Sequence, residues 1–188
     1  MIFHVVATVM EVFKTSSQIW SWKYPWVENS IFILWNVPLF TWFMYSAVGS
    51  YIIRASQFLK LKYTQYPKQN SVALLSIFIY INFFSHHYIL DLRYILIIIS
   101  IILFFKTYIT FKVYKKVRKI HFLTSAFLTT IFIWVAENIS TFYKIWLYPN
   151  QEISWQIVSL SKLTSWYLLL MVSFTIITTI NRKNFIMK

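Results

Sequence analysis

Two carboxylates set among apolar residues are the first groups with chemistry to offer. Glu11 lies in the run Ile2–Ile19 and Glu137 in the run Phe122–Thr141. An ionisable side chain at such a place is expensive, so it faces a partner or a cavity. If the two carboxyls face each other, repulsion and desolvation raise at least one pKa, leaving one acid and one base. Such a pair suits general acid/base catalysis, or proton coupling in a permease. Thr15 and Thr141 follow each Glu at helical i+4 spacing, and His4 precedes Glu11 by two turns on the same face. The rival reading pairs each Glu with Lys14, Lys144 or Lys162 and makes it a lock between helices.

The two Glu residues also sit in related surroundings. Glu11, Thr15, Ile19 and Trp20 lie over Glu137, Thr141, Ile145 and Trp146 without a gap. Each stretch then runs into Trp-x-Tyr-Pro, at Trp22–Pro25 and Trp146–Pro149, the second match needing a two-residue offset. This is read as a parallel pseudo-repeat, spans one and two against spans five and six, about an axis along the membrane normal. In continuous helices the nine residues from each Glu to its Trp would span about 13 Å of depth.

A second cluster is His86, His87 and Asp91, in Ser-His-His-Tyr-Ile-Leu-Asp-Leu-Arg. Imidazole and carboxylate are metal-ligand types. If the segment is helical, His87 and Asp91 share a face and, with a Glu of the repeat, assist catalysis or hold a metal. The spacing matches no strong metal signature. The other reading makes Asp91 the N-cap of the following helix and Arg93 a headgroup anchor. His121 is placed at an inner, interfacial helix start. The sequence names no cofactor and leaves a metal open.

The elements that must position these groups follow from composition. Of 188 residues, 59% are hydrophobic and only 12% charged, which excludes an ordinary soluble domain or a disordered tail. The excess of 18 Lys and Arg over 5 Asp and Glu falls in blocks between apolar runs, so it marks membrane topology rather than nucleic-acid binding. With no cysteine, disulfides and thiol chemistry are excluded. The start of the chain lacks the basic n-region of a secretory signal peptide. Six spans are expected, at about 2–19, 31–53, 71–85, 94–114, 122–141 and 157–180, the second containing Pro38 and the sixth Lys162. Ser46 and Ser50 in the second span have the spacing of a close helix contact.

The expected fold is therefore all-α: one polytopic transmembrane helical bundle over residues 1–188. The basic connections 54–70 and 106–119 and the tail with Arg182, Lys183 and Lys188 fall on one side, which puts both termini in the cytoplasm. Glu28 and Glu152, with the other acids, fall in or near the outer half. The outer connections carry Trp20, Trp22, Tyr24, Trp26, Trp146, Tyr148 and Trp155, expected at the headgroup level. The implied partners are the lipid bilayer and a lipophilic substrate.

Several motifs together carry a family resemblance: Met10–Lys14, Trp22–Pro25, Val37–Phe40, Phe43–Tyr45 and Val48–Tyr51, then Asn82–His87 with Asp91–Arg93, and Ile133–Ile139 with Trp146–Pro149. Over nearly the whole chain it resembles a bacterial integral-membrane family, domain of unknown function 817. The resemblance implies a multi-pass protein of the bacterial inner membrane without an assigned reaction. Family members carry further spans upstream, so it also implies an N-terminally shortened member. The Glu-to-Trp-x-Tyr pattern is more distantly similar to small membrane enzymes of carotenoid metabolism, which would make the substrate an isoprenoid. The sequence supports three readings: a membrane enzyme, a transporter, and a structural subunit.

Overall fold

The structure, a computed structural model, describes residues 2–180, without the side chains of residues 2–4, 28, 42, 44–46 and 48. His4, Glu28 and Ser46 as side chains, and Arg182, Lys183 and Lys188 altogether, lie outside the described residues. The protein is mostly helical. Its helices are α1 (Ile2–Lys14), α2 (Phe40–Phe58), α3 (Gln69–Ser85), α4 (Arg93–Phe104), α5 (Phe122–Phe142) and α6 (Lys162–Ile180). The all-α expectation needs correcting, because five short strands form two small sheets. Strands β1 (Ile33–Leu34) and β2 (Val37–Pro38) make a hairpin, and β3 (Lys62–Thr64), β4 (Tyr108–Val113) and β5 (Lys116–His121) make an antiparallel sheet in that order.

Each expected span contains a helix, and local chemistry explains where the bounds differ. Helix α1 ends at Lys14, where the chain turns back: Ser21 N donates to Lys14 O at 2.9 Å, and the hydroxyls of Thr15 and Ser16 donate to the carbonyls of Glu11 and Phe13, both at 2.7 Å. Trp20 is then left-handed (φ 41°). Glu11 therefore lies in the last turn of its helix, and the 13 Å depth read from continuous helix does not hold. Helix α2 starts at Phe40, not near Ile31, since Pro38 closes the β1–β2 hairpin and its carbonyl accepts from Thr41 Oγ1 at 2.9 Å. Helix α4 ends at Phe104, and buried Thr107 donates to Gln65 O at 3.1 Å, turning the chain into β4. The late start of α6 follows from residues 157–161 lying outside any helix. There Val158 is gripped through its carbonyl by Trp134 Nε1 (3.1 Å) and through its N–H by Asn138 Oδ1 (2.9 Å). Lys162 thus opens α6 rather than interrupting it.

The chain forms two compact units, each drawn from separated stretches. One comprises Met1–Ser50 and Ile133–Ser159, and the other Tyr51–Phe132 and Leu160–Lys188. In the second unit α3, α4 and α6 are joined by hydroxyl contacts. Ser76 Oγ donates to Thr175 Oγ1 at 2.6 Å, Tyr66 OH meets Thr178 Oγ1 at 3.0 Å, and Ser100 Oγ meets Tyr167 OH at 2.9 Å. The sheet is rooted in aromatic rings: Phe104 stacks on Phe122 at 4.5 Å, and Phe174 lies 5.1 Å from Tyr63. Offset and edge contacts of this kind hold a core beyond simple area burial.

Candidate functional site

Glu11 and Glu137 fall in the same unit, each with 2% of its surface exposed. Both lie near the C-terminal end of a helix, where the macrodipole disfavours a carboxylate. Each is met by the tyrosine of the Trp-x-Tyr-Pro that follows it. Tyr24 OH donates to Glu11 Oε2 at 2.8 Å, and Trp22 Nε1 donates to the same oxygen at 3.1 Å. Tyr148 OH donates to Glu137 Oε1. These charge-assisted bonds offset both the dipole and the burial. Thr141 is fully buried beside Glu137 and Thr15 nearly so beside Glu11, but their hydroxyls bond helix carbonyls of Asn138 and Glu11.

The two Trp-x-Tyr-Pro segments are held to each other at their central residues. Lys23 N donates to Leu147 O and Leu147 N donates to Lys23 O, both at 2.9 Å, an isolated antiparallel bridge. Trp26 Nε1 adds a bond to Lys144 O at 3.1 Å, and Lys23 forms an ion pair with Glu152. Gln151 fixes the second segment by accepting from Tyr148 N at 3.2 Å and donating to Gln156 O at 2.6 Å. Of the cations considered as locks, Lys14 is buried, Lys144 is exposed and Lys162 belongs to the other unit.

This arrangement places phenols and carboxylates in one electrostatic group. Burial pushes the Tyr24 hydroxyl well above the ordinary phenol value, and the Glu11 charge and hydrogen bond add to it. The Tyr148 hydroxyl is raised by burial first, then by the Glu137 charge, and Glu11 contributes as well. Tyr63, in β3, is raised by burial and by Tyr66. A raised phenol pKa stabilises the folded state fully below pH 10, and the contribution is lost as pH climbs above it. Absorbance titration of the folded protein should therefore leave Tyr24, Tyr63 and Tyr148 protonated well above pH 10, until alkaline unfolding releases them together. Ordinary titration of Tyr24→Phe and wild type, with no difference in amplitude on unfolding, would refute this for Tyr24.

His86, His87 and Asp91 belong to the second unit. Helix α3 ends at Ser85, so His87 and Asp91 do not lie on one helical face, as the sequence spacing had allowed. The imidazole rings are 4.0 Å apart, and His86 Nδ1 lies 2.8 Å from Asn82 O. Asp91 takes Asn82 Nδ2 at 3.1 Å, Arg93 N at 3.0 Å and Arg93 Nε at 2.5 Å. Burial acts to raise its pKa, but the hydrogen bonds from Asn82 and Arg93, with the Arg93 charge, outweigh it and hold the carboxyl below the usual range. Asp91 thus organises the start of α4 from one residue before the N-cap, Leu92, whose N–H bonds Asn82 Oδ1 at 3.0 Å. Among the described residues no group of three His, Cys, Asp or Glu is placed to hold a metal. His121 closes β5, where its Nδ1 accepts from Leu123 N at 3.3 Å and its Nε2 meets Phe105 O at 2.7 Å.

Of the aromatic residues in the outer connections, Tyr24 and Tyr148 are buried within the protein, and Trp20, Trp26 and Trp155 are exposed. The signal for the two tyrosines was present in the repeated Trp-x-Tyr-Pro after each Glu. Asn82, Asn138 and Gln151 gave no such signal, because a lone amide can bond almost any neighbouring polar group; here they take Asp91 and Leu92, Trp134 and Val158, and Tyr148 and Gln156.

The fold and site define a mostly helical protein with a buried Glu–Tyr cluster. Among its described residues α5 and α6 are long and apolar enough to cross a membrane. The chain belongs to the family described as "Protein of unknown function (DUF817)", whose model matches residues 1–174. It is 38% identical over 181 residues to the uncharacterized protein YoaT of Bacillus subtilis (strain 168), an alignment covering 96% of this chain and 67% of that protein. No solved structure matches it.

Proposed function

We propose that the protein is a six-span protein of the bacterial inner membrane, with both termini cytoplasmic, and an intramembrane acid/base enzyme for a lipophilic substrate. The buried Glu11–Tyr24 and Glu137–Tyr148 pairs, brought into one group by the Lys23–Leu147 bridge, are the observation that carries the enzymatic reading. One carboxylate serves as base and its opposite number as acid: one phenol passes the substrate's proton to the base, and the other passes the acid's proton out to the substrate. The two pairs, on corresponding positions of the matched segments, support the parallel pseudo-repeat. An isoprenoid fits as substrate class, since the helices around such a site present apolar surface.

The membrane reading is supported by an inverted burial pattern. On α4, Ile95, Ile98 and Ile102 are exposed while Ser100 is buried, and on α3, Leu74, Ile77 and Ile81 are exposed while Ser76 and Asn82 are buried. Water disfavours so much exposed hydrocarbon, whereas lipid accepts it and places polar groups between helices. The basic connections on either side of α3 and α4 meet in one sheet, as a common cytoplasmic side requires. Transport is the second reading: the same buried Glu11 and Glu137 would then be the proton-coupling site.

The deciding experiment is a lipid profile of a strain lacking the gene, complemented with wild type, Glu11→Gln or Glu137→Gln. The enzymatic reading expects a lipophilic species to accumulate, to disappear with wild type, and to persist with either variant at equal membrane abundance. Unchanged lipids together with Glu-dependent, pH-dependent solute uptake would replace it with transport.

A further inference from the structure

The β4–β5 hairpin carries five bases in eight residues, Lys112, Lys115, Lys116, Arg118 and Lys119, and the sequence has no acid between Asp91 and Glu137. All five are exposed. Cross-strand register puts Lys119 beside Thr110, with Lys62 of β3 on the far side of Thr110, and puts Arg118 beside Phe111 and Lys116 beside Val113. Both faces of the hairpin are therefore cationic. At its tip Tyr114 is 96% exposed and Val117 71% exposed, so an aromatic and an aliphatic group project from among the bases. The base of the hairpin is rigid by contrast, with Ile109 and Tyr63 buried and Phe122 following β5 directly.

The hairpin is short and tethered closely. β5 runs into α5 without an intervening residue, and three residues separate α4 from β4. At about 3.3 Å per residue, six-residue strands cannot carry the tip more than about 20 Å from the helix ends. If α5 crosses a bilayer, the tip stays within about 20 Å of the helix end, short enough for the hairpin to lie back on the headgroup zone. A projecting Tyr within a cluster of Lys and Arg is the chemistry of that zone: bases meet phosphates, and an amphipathic ring settles at the polar–apolar boundary.

We propose that the β4–β5 hairpin docks on anionic phospholipid headgroups of the leaflet into which it is tethered. The proposal rests on the membrane reading above and names the lipid class recognised there. The absence of cysteine makes the test clean, because Val117→Cys gives a single site for a nitroxide label on an exposed strand position. The labelled chain is placed in nanodiscs of phosphatidylcholine alone or with phosphatidylglycerol, and the label's accessibility to oxygen and to a water-soluble nickel chelate is measured. Carbonate extraction from vesicles beforehand establishes integration; a chain that is extracted refutes the membrane reading and this proposal with it.

For an integrated chain, docking expects a severalfold fall in nickel accessibility with phosphatidylglycerol, reversed by high salt. It expects the fall to vanish in Lys115→Glu/Lys116→Glu/Arg118→Glu and to shrink in Tyr114→Ser, with near-ultraviolet dichroism confirming the fold. Equal nickel accessibility in both lipids overturns docking while leaving the membrane reading intact. Equal immersion in both lipids, insensitive to charge reversal, overturns headgroup recognition. Protection of the label by an oligonucleotide or an acidic polypeptide but not by phosphatidylglycerol also overturns it, and assigns the surface to a macromolecule.

Discussion

Tyr148→Phe is expected to lower the free energy of unfolding in mixed micelles by about 2–3 kcal/mol, the usual cost of removing a donor from a buried charged acceptor. The phenol of Tyr148 donates to Glu137 Oε1, and both residues are buried. Glu137→Gln keeps an acceptor for that hydroxyl but removes the charge. The double variant Tyr148→Phe/Glu137→Gln should therefore cost less than the two singles together. The size of this coupling also reports the state of the carboxyl. Neutral hydrogen bonds inside membrane proteins average about 0.6 kcal/mol, whereas bonds to charged groups reach about 1.5–3 kcal/mol. Additive single effects would mean that the pair does not stabilise the fold as a unit.

Lys23→Pro should be more disruptive than any change to the Lys23 side chain. The residue's N–H and carbonyl both bond Leu147, and proline removes the donor and fixes φ. A loss of about 3 kcal/mol is expected, from the missing bond and the backbone mismatch. Lys23→Ala keeps the backbone bridge and loses a part-exposed ion pair with Glu152 and a cation–π contact with Trp20, a change of about 1–2 kcal/mol. Because the bridge sets the approach of Tyr24 and Tyr148 to the two carboxylates, Lys23→Pro should also bring phenols into titration near their ordinary range. Equal behaviour of the proline and alanine variants would show that the segments are positioned without the bridge.

The six helices were legible because each is a long apolar run, and bulk hydrophobicity is a property of single segments. The sheet was not legible. Tyr108–Val113 is apolar enough to read as the tail of α4, whereas it forms a hairpin with the basic Lys116–His121 and also pairs with Lys62–Thr64, some forty residues upstream. The end of α1 was hidden for a different reason. Thr15 and Ser16 are compatible with helix, and the end shows only in the backbone bonds by which Trp20 returns to Ser16 and Ser21 to Lys14. Glu11 and Glu137 were found from their cost in an apolar run, and the structure buries both in one unit. Their tyrosine partners were not read as partners, because a Tyr in a Trp-rich loop ordinarily marks an interface. The His87–Asp91 spacing promised a shared face only if helix continued, and α3 ends at Ser85, before either residue.

The unit that holds Glu11 and Glu137 is assembled from the two ends of a long excursion, residues 1–50 and 133–159. During synthesis α1, Trp22 and Tyr24 emerge early, but the partners of their loop do not yet exist. The contact from Trp26 to Lys144 alone spans 118 positions, which at about 5–20 residues per second is a wait of roughly 6 to 24 s. For that interval Glu11 has its local tyrosine and tryptophan but lacks the second segment that closes over them. Nascent residues 1–50 are thus expected to need protection, and slowed translation within residues 51–132 would lengthen their exposure to proteases and insertases.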